Sequence, residues 1–435
     1  MSEEQKSKKT KKKSSASKSA PKKERSEKRK PSIAPLAQSA FKKLSRATRN
    51  APDKLKDIDE YMQDVNRGER TLLAKWRSPK RIHFTFPGFI LLTVIVLCLA
   101  LLMMDNASIS VEKVTVSVVG LNKDLEGYTI LQLSDLHGRR FGAQQNSLLK
   151  TINAQNYNLI LMSGDMVGKK GDPEPLYEIL DGLKSKKPVY FIAGDSDPNP
   201  LLSEIRDTPG TLEERVLSDW VLGAEARGAT YLDAPEHIKV GSGSIYLTPE
   251  YQLSLNISDH MRTLTEQRTM EEQAVISGED DGRSTLPFTE YRLGLITQLQ
   301  ETANAMTAED VHIALAHYPP TVDYINTTQQ LNVSGDQSYL RPVDLALAGH
   351  YCGGVWRLPF LGALYIPAEQ APRHGWFPDQ GSVMGLSSLG GTNLYISPGL
   401  GATDDIWLPK FRLFNSPTIT LITLTSALNT GSLNG

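Results

Sequence analysis

Apolar positions along this chain fall into three patterns, each predicting a different kind of element. The longest run is continuous: Phe84 to Met104 (FTFPGFILLTVIVLCLALLMM) carries no charge over 21 residues. At 1.5 Å per residue this crosses a hydrocarbon core of about 30 Å, so one transmembrane helix over 83–104 is expected. The flanking Arg77, Lys80 and Arg81 argue against a buried core helix. Leu101 to Met104 run into Asp105 without the small residues of a cleaved signal peptide. The second pattern is a set of short apolar runs at Ile130–Leu133, Leu159–Met162, Val189–Ile192, Val311–Ala316 and Asp344–Ala348. Each stops abruptly at Ser, Ala, Gly, Asp or His, as buried strands do. The third is alternation, VEKVTVSVV from Val111 to Val119, which predicts a strand with one wet face.

Helical spacing fills the gaps between the first three runs, over Asn146–Gln155 and Glu174–Leu183. Strand, acidic loop and helix in alternation predict a parallel sheet with right-handed crossovers and all the acidic loops at one edge. Further on, Gly228 to Tyr246 predicts two strands, and Asn393–Ser397 and Thr418–Leu424 close the fold. Residues around 256–306 are polar, acidic and mostly helical in spacing, which predicts a surface insertion.

Charge divides the chain where hydropathy does. Residues 1–82 hold 25 Lys and Arg against 10 Asp and Glu, a net of +15, leaving −16 for the rest of a chain whose total is −1. Roughly 150 residues per domain predicts two or three regions in 435 residues. Residues 1–50 are Lys, Ser, Ala and Pro with almost no apolar clusters and are expected to be disordered, and Ala51–Arg77 has the spacing of a short juxtamembrane helix. Such a tail binds anionic lipid headgroups or nucleic acid by charge, or is simply solvated. The positive-inside bias keeps it in the cytoplasm and puts residues 105–435 outside the cell, in a single-pass protein of the cell membrane. A membrane helix and an acidic domain argue against nucleic acid as the partner. Cys98 lies in the apolar run and Cys352 in a Gly-rich polar loop, so a disulfide between them is not expected.

The ends of the apolar runs carry the candidate chemistry. Asp135 and His137 follow the first, Asp165 the second, Asp195 to Asp197 the third, His317 the fourth, and His350 with Cys352 the fifth. One Asp-x-His after a strand is usually a turn; five such loops in order are a constellation. Two divalent ions about 3.5–4 Å apart need a shared carboxylate with imidazole and oxygen ligands from separate loops, and Asp with His suits Mn, Fe or Zn.

The five blocks SDLHG, SGDMVG, AGDSD, AHYPP and AGHYCGG resemble, in order, the motifs of the calcineurin-like metallophosphoesterases. The segments GGVWRLPFLGALYIP and LYISPGLG are similar to its membrane-anchored bacterial branch, which includes the enzymes called YkuE and YaeI. The resemblance implies an α/β two-sheet sandwich flanked by helices, preceded here by the transmembrane helix and the basic tail. It implies two divalent transition-metal ions, Mn, Zn or Fe. Asp135 and His137 would bind the first ion, Asp165 would bridge, and Asp195, His317 and His350 would bind the second. It also implies hydrolysis of a phosphomonoester or phosphodiester by a metal-bound hydroxide, with Asp165, the Ser196 position and His350 at the reacting centre. A substrate that is lipid-linked or part of the cell envelope would suit an anchored enzyme.

Two positions depart from the family pattern. Cys352 stands where the family has the last His of the first metal, and a thiolate there favours Zn. Ser196 stands where the family has the His near the leaving group, a loss worth ~10²–10⁴-fold if nothing replaces it. His374 is a candidate replacement or a surface histidine. The alternative is therefore a degenerate, non-catalytic metal- or phosphate-binding module of the same fold. His312, inside a strand and away from the site edge, is expected to be structural, and His237 and His260 exposed. The run Gly278–Gly282 lacks the spacing of a calcium loop.

Overall fold

The computed structural model describes residues 86–202, 216–278, 285–332, 338–366, 375–404 and 411–427. The basic tail, the expected juxtamembrane helix and His374 lie outside them. The described residues from Phe89 onward belong to one compact unit.

Helix α1 runs Phe86–Ala107, covering most of the expected span and ending three residues past it. Its side chains at Phe89, Leu91, Val96 and Leu97 are exposed. Among the described residues, no helix is long and apolar enough to cross a membrane, so the expected transmembrane assignment of 83–104 is not supported by the fold itself.

From there the chain runs β1 (Ser110–Ser117), β2 (Thr129–Leu133), α2 (Asn146–Asn153), β3 (Leu159–Ser163), α3 (Glu174–Gly182), β4 (Val189–Ile192), α4 (Asp219–Glu225) and β5 (Ala229–Tyr231). It continues through β6 (Glu236–Val240), β7 (Gly243–Pro249), α5 (Ile257–Ser277), α6 (Leu286–Ala305), β8 (Val311–Leu315), α7 (Val322–Asn332) and β9 (Leu345–Ala348). Two small ribbons follow, β10 (Arg357–Leu358) with β11 (Gly362–Ala363) and β12 (Tyr365–Ile366) with β13 (Gly375–Trp376). The last strands are β14 (Gly385–Leu389), β15 (Thr392–Ile396) and β16 (Thr418–Thr425).

Two six-stranded sheets result, ordered β1-β16-β2-β3-β4-β5 and β14-β15-β9-β8-β7-β6. The expected parallel pairing of β2, β3 and β4 is present, and β7, β8 and β9 also pair in parallel. Side-chain alternation explains why the central strands read as unbroken apolar runs. In β3, Leu159 and Leu161 face the core between the sheets while Ile160 and Met162 face the helices α2, α3 and α4. In β9, Leu345 and Leu347 face inward and Ala346 and Ala348 face outward, toward the core shared with α5 and α6. Strands buried on both faces have no polar side to show.

The insertion is a helical hairpin, α5 against α6, held to the second sheet by Leu264, Ile296 and Leu299. Beneath the loops, the buried Gln132 amide donates to Ser163 Oγ at 2.9 Å and to the Ala348 carbonyl at 3.0 Å, tying β2 and β3 of one sheet to β9 of the other. That tie sits directly below the strand ends bearing Asp165 and His350.

Candidate metal centre

Five strands deliver the seven candidate ligands. Asp135 and His137 follow β2, Asp165 follows β3 and Asp195 follows β4 in the first sheet, while His317 follows β8 and His350 and Cys352 follow β9 in the second. Five of these residues, Asp135, His137, Asp165, His350 and Cys352, have positive φ, between 47° and 72°. A non-glycine residue seldom adopts this conformation, and its concentration at one place marks a site where the backbone is bent to aim side chains. Space is made by glycine: a Cβ on Gly194 would stand 2.1 Å from Asp165 Oδ1, and one on Gly349 would stand 2.7 Å from Asp135 Oδ2.

The ligands gather in two groups. Asp135, His137 and Cys352 form one, and Asp165, Asp195, His317 and His350 the other, with donor atoms in each within 4.8 Å of one another. In the first, Cys352 Sγ lies 3.7 Å from His137 Nε2. In the second, His317 Nε2 lies 2.9 Å from Asp195 Oδ1 and 3.1 Å from His350 Nδ1. Asp165 joins them, since its Oδ2 is 3.6 Å from His137 Nε2 and 3.4 Å from His317 Nε2. All are buried except Asp195, whose side chain is 32 % exposed and stands at the mouth.

Two observations fit this set to cations. With bonds of about 2.1 Å to N or O and about 2.3 Å to S, ligand atoms around one ion stand roughly 3.0–3.6 Å apart, the spacing seen here. Moreover, the fully buried Asp135 accepts at Oδ1 from the His350 backbone N–H at 2.8 Å, while its Oδ2 and the buried His350 Nε2 have no hydrogen-bond partner in the protein. Leaving a buried carboxylate oxygen unmatched is costly unless a cation meets it.

Neighbouring groups fix the orientation of each imidazole. His317 Nδ1 donates to the Ser163 carbonyl at 2.9 Å, which turns Nε2 into the second group. His137 Nδ1 lies 3.0 Å from Asp404 Oδ2, which turns its Nε2 toward Cys352 and Asp165. Asp404 also accepts from the Lys169 backbone N–H at 3.1 Å. Asp197 accepts from the backbone N–H groups of Val167, Gly168 and Gly194 at 2.7–2.9 Å, clasping the loop after β3 to the loop after β4. The fully buried Arg412 guanidinium donates to the carbonyls of Asn415, Gly401 and Pro398, setting the loop that carries Asp404.

Electrostatics follow from packing imidazoles among carboxylates. Burial pulls His137 down, but the Cys352 sulfur and the Asp165 and Asp135 carboxylates lift it to about 9. His317 is raised well above its ordinary value against the same burial, by hydrogen bonds to Asp165 and Asp195. Asp195 is held well below the usual carboxylate range, burial notwithstanding, by hydrogen bonds from His317 and His350. Burial, seconded by Asp135, pushes the Cys352 thiol up. Without ions, protons on the imidazoles therefore supply part of the positive charge that this cluster of carboxylates needs.

Every expected metal ligand is thus brought into one of the two groups. Ser196 is buried and serves Asp165 through its backbone N–H, which donates to Oδ1 at 2.9 Å. His312 is fully buried between Thr248 and the Arg341 carbonyl, and His237 stacks on Tyr246, both away from the site. Sequence reasoning missed Asp404, which follows no strand and belongs to no spaced motif. Its only signal was an acidic pair shortly after the SPGLG turn. Asp197 was read as part of its block without a role.

The sequence profile of the family described as calcineurin-like phosphoesterase matches residues 128–353. Among solved structures, the phosphopantetheinyl hydrolase PptH from Mycobacterium tuberculosis is 11 % identical, over 63 % of this chain and 91 % of that one, with a TM-score of 0.30. The Thermus thermophilus sulfate thiohydrolase SoxB in complex with glycerol is 11 % identical, over 69 % of this chain and 57 % of that one, with a TM-score of 0.29. Likeness at this level carries no argument about activity. No curated protein matches the chain.

Proposed function

The chain belongs to the calcineurin-like phosphoesterase family, and from that premise we propose that it is a metal-dependent phosphoester hydrolase working at the two ligand groups described above. The observation that carries this reading is the position of Asp165 Oδ2, within 3.6 Å of an imidazole from each group. A carboxylate so placed is what a two-ion site requires as its shared ligand.

In this reading Asp135, His137, Cys352 and Asp165 hold one ion, and Asp165, Asp195, His317 and His350 the other. The ions, when bound, supply Lewis-acid polarisation of the phosphoryl group and acidification of water. The chain's own residues do the rest. The Ser196 N–H fixes the bridging carboxylate, Asp404 and the Ser163 carbonyl aim two imidazoles, and the buried walls keep the ligands from bulk water. Asp195, ionised at the mouth, repels a dianionic monoester more than a monoanionic diester, which favours phosphodiesters. The thiolate of Cys352 favours Zn or Fe over Mg in the first position.

Ser196 supports a second reading. With a serine at this position, leaving-group protonation lacks its family donor. A non-catalytic module that binds metal and phosphate would have the same geometry. Metal analysis of the full-length chain, with bis-p-nitrophenyl phosphate hydrolysis on the same sample, separates the two. Turnover that Asp165→Ala abolishes supports the hydrolase; bound metal without turnover supports the module; no metal defeats both.

Attachment to the cell membrane by residues 84–104 is part of the proposal. It is supported by the absence of charge over that segment, by the exposed apolar side chains of α1 and by the likeness to the YkuE and YaeI branch. The basic tail would then lie against anionic headgroups in the cytoplasm and the hydrolase domain outside, within reach of lipid-linked phosphate esters. Protease protection in sealed vesicles tests this topology.

A further inference from the structure

A cleft of about 390 Å³ opens directly beside the second ligand group, where Asp195 and His317 form part of its wall. It lies at the ends of β4, β5, β7 and β8, between the two sheets, and its size is within the ~300–1,000 Å³ usual for small-ligand sites. Tyr231, Tyr251 and Tyr318 line it together with Leu232 and Leu315, so most of what a ligand would meet is aromatic or aliphatic. The rim is built: the Tyr251 hydroxyl and the Gln252 amide both donate to the Asp233 carbonyl, and the Tyr324 hydroxyl donates to the Glu250 carbonyl. Tyr318 packs at 4.2 Å from the His350 ring, joining the cleft to the ligand group.

Away from the ligand group its charge has one sign. Setting aside the candidate ligands Asp195 and His317, the one ionisable side chain besides the tyrosines among its described lining residues is Glu250, and no Lys or Arg is among those described residues. A wall of tyrosines with the Glu250 carboxylate attracts a cation, accepts a neutral ring and repels an anion.

We propose that this cleft receives an organic group of the phosphate ester, and that this group is an uncharged or cationic ring or bulky alkyl group, not a second anion. The inference rests on the hydrolase reading only for the position of the phosphate. It excludes polyphosphates and phosphorylated sugars bearing further phosphates, and includes aryl, nucleoside and ammonium-bearing esters.

Non-hydrolysable phosphonates test it by calorimetry on the metal-loaded full-length chain, with bis-p-nitrophenyl phosphate turnover followed in parallel. Phenylphosphonate should bind at least about tenfold tighter than methylphosphonate, since only the former fills apolar space. 4-Carboxyphenylphosphonate should lose most of that gain, whereas 4-(trimethylammonio)phenylphosphonate should keep it. Tyr251→Ala should shrink the phenyl advantage, and Glu250→Gln should restore binding of the carboxyphenyl compound. Equal binding of methyl and phenyl compounds, or indifference to the carboxyl group, overturns the cleft assignment while turnover still upholds the hydrolase. Failure of every phosphonate to bind also overturns it, and absence of turnover in that sample tells separately against the hydrolase.

Discussion

His137 and Asp404 are joined through Nδ1 and Oδ2 at 3.0 Å, and that contact decides which ring nitrogen faces the first ligand group. A carboxylate behind a metal-binding imidazole fixes its tautomer and raises its basicity, and its loss typically costs 10–100-fold in metal affinity. Asp404→Ala is therefore expected to weaken one of two bound Zn ions by about that factor, with Asp404→Asn intermediate. Competition with a chromophoric chelator measures it. Equal affinity at both sites in Asp404→Ala would leave the residue with no role beyond its contact with the Lys169 amide.

On the proposed reading, Cys352 would make the first group selective. Replacement by Co should give the intense near-ultraviolet charge-transfer band of a thiolate–metal bond, absent in Cys352→Ser. Cys352→His, which recreates the family pattern, should move the preferred ion from Zn toward Mn. A cobalt spectrum identical in wild type and Cys352→Ser would remove the sulfur from the ligand set.

Metal uptake should release protons. His137, lifted to about 9, and His317, raised well above its ordinary value, are both protonated near neutrality when no ion is present, and each must lose its proton to ligate. Raising the pH removes those competing protons, and that of the Cys352 thiol, which burial pushes up, so apparent affinity should climb steadily as the pH rises from about 6 through about 9. Calorimetry in two buffers of different ionisation enthalpy reads the release directly. Identical heats in both would show that the imidazoles were already neutral.

Acid should destabilise the fold through His312 before it titrates most carboxylates. This wholly buried ring donates from Nδ1 to the Arg341 carbonyl and meets the Thr248 hydroxyl at Nε2, and burial, with the nearby Arg341 guanidinium, lowers its pKa to about 4. The folded state thus binds this proton more weakly than the unfolded chain, whose value is about 6.5. The stabilisation is complete above that value and drains away as pH falls to about 4, on the order of 3 kcal/mol. Thermal unfolding from pH 7 to 4 should be flatter in His312→Asn than in wild type; parallel curves would refute the assignment.

The strands around the site were legible in the sequence because each is buried on both faces and so forms a short apolar run with a polar stop. Leu159 to Met162, followed by Ser163 to Asp165, needed no tertiary knowledge to be read as a strand feeding a loop. The candidate ligands were legible for the same reason, since each follows such a stop within a few residues. What remained hidden depends on contacts distant along the chain. Asp404 reaches His137 across 267 residues, in a loop whose Gly401 carbonyl Arg412 holds. The cleft was equally invisible, because Tyr231 lies in β5 of one sheet while Glu250 and Tyr318 follow β7 and β8 of the other. The pair of strands expected over Gly228–Tyr246 proved to be three, β5 pairing in the first sheet and β6 and β7 in the second, a division that hydrophobic pattern does not encode.

The Gln132 amide, bonded at once to Ser163 and to Ala348, has a mechanical meaning. Each ligand group draws donors from both sheets, the first through Asp135 with Cys352 and the second through Asp165 with His317. Gln132 pins the sheets where those donors emerge, so a slip of one sheet past the other would pull the two sets of donors out of register together. An ion in either group would act as a rivet across the same seam. A loaded centre would thus double as the fastening of the two halves of the sandwich, and the loosening of that seam and the loss of metal would be one event.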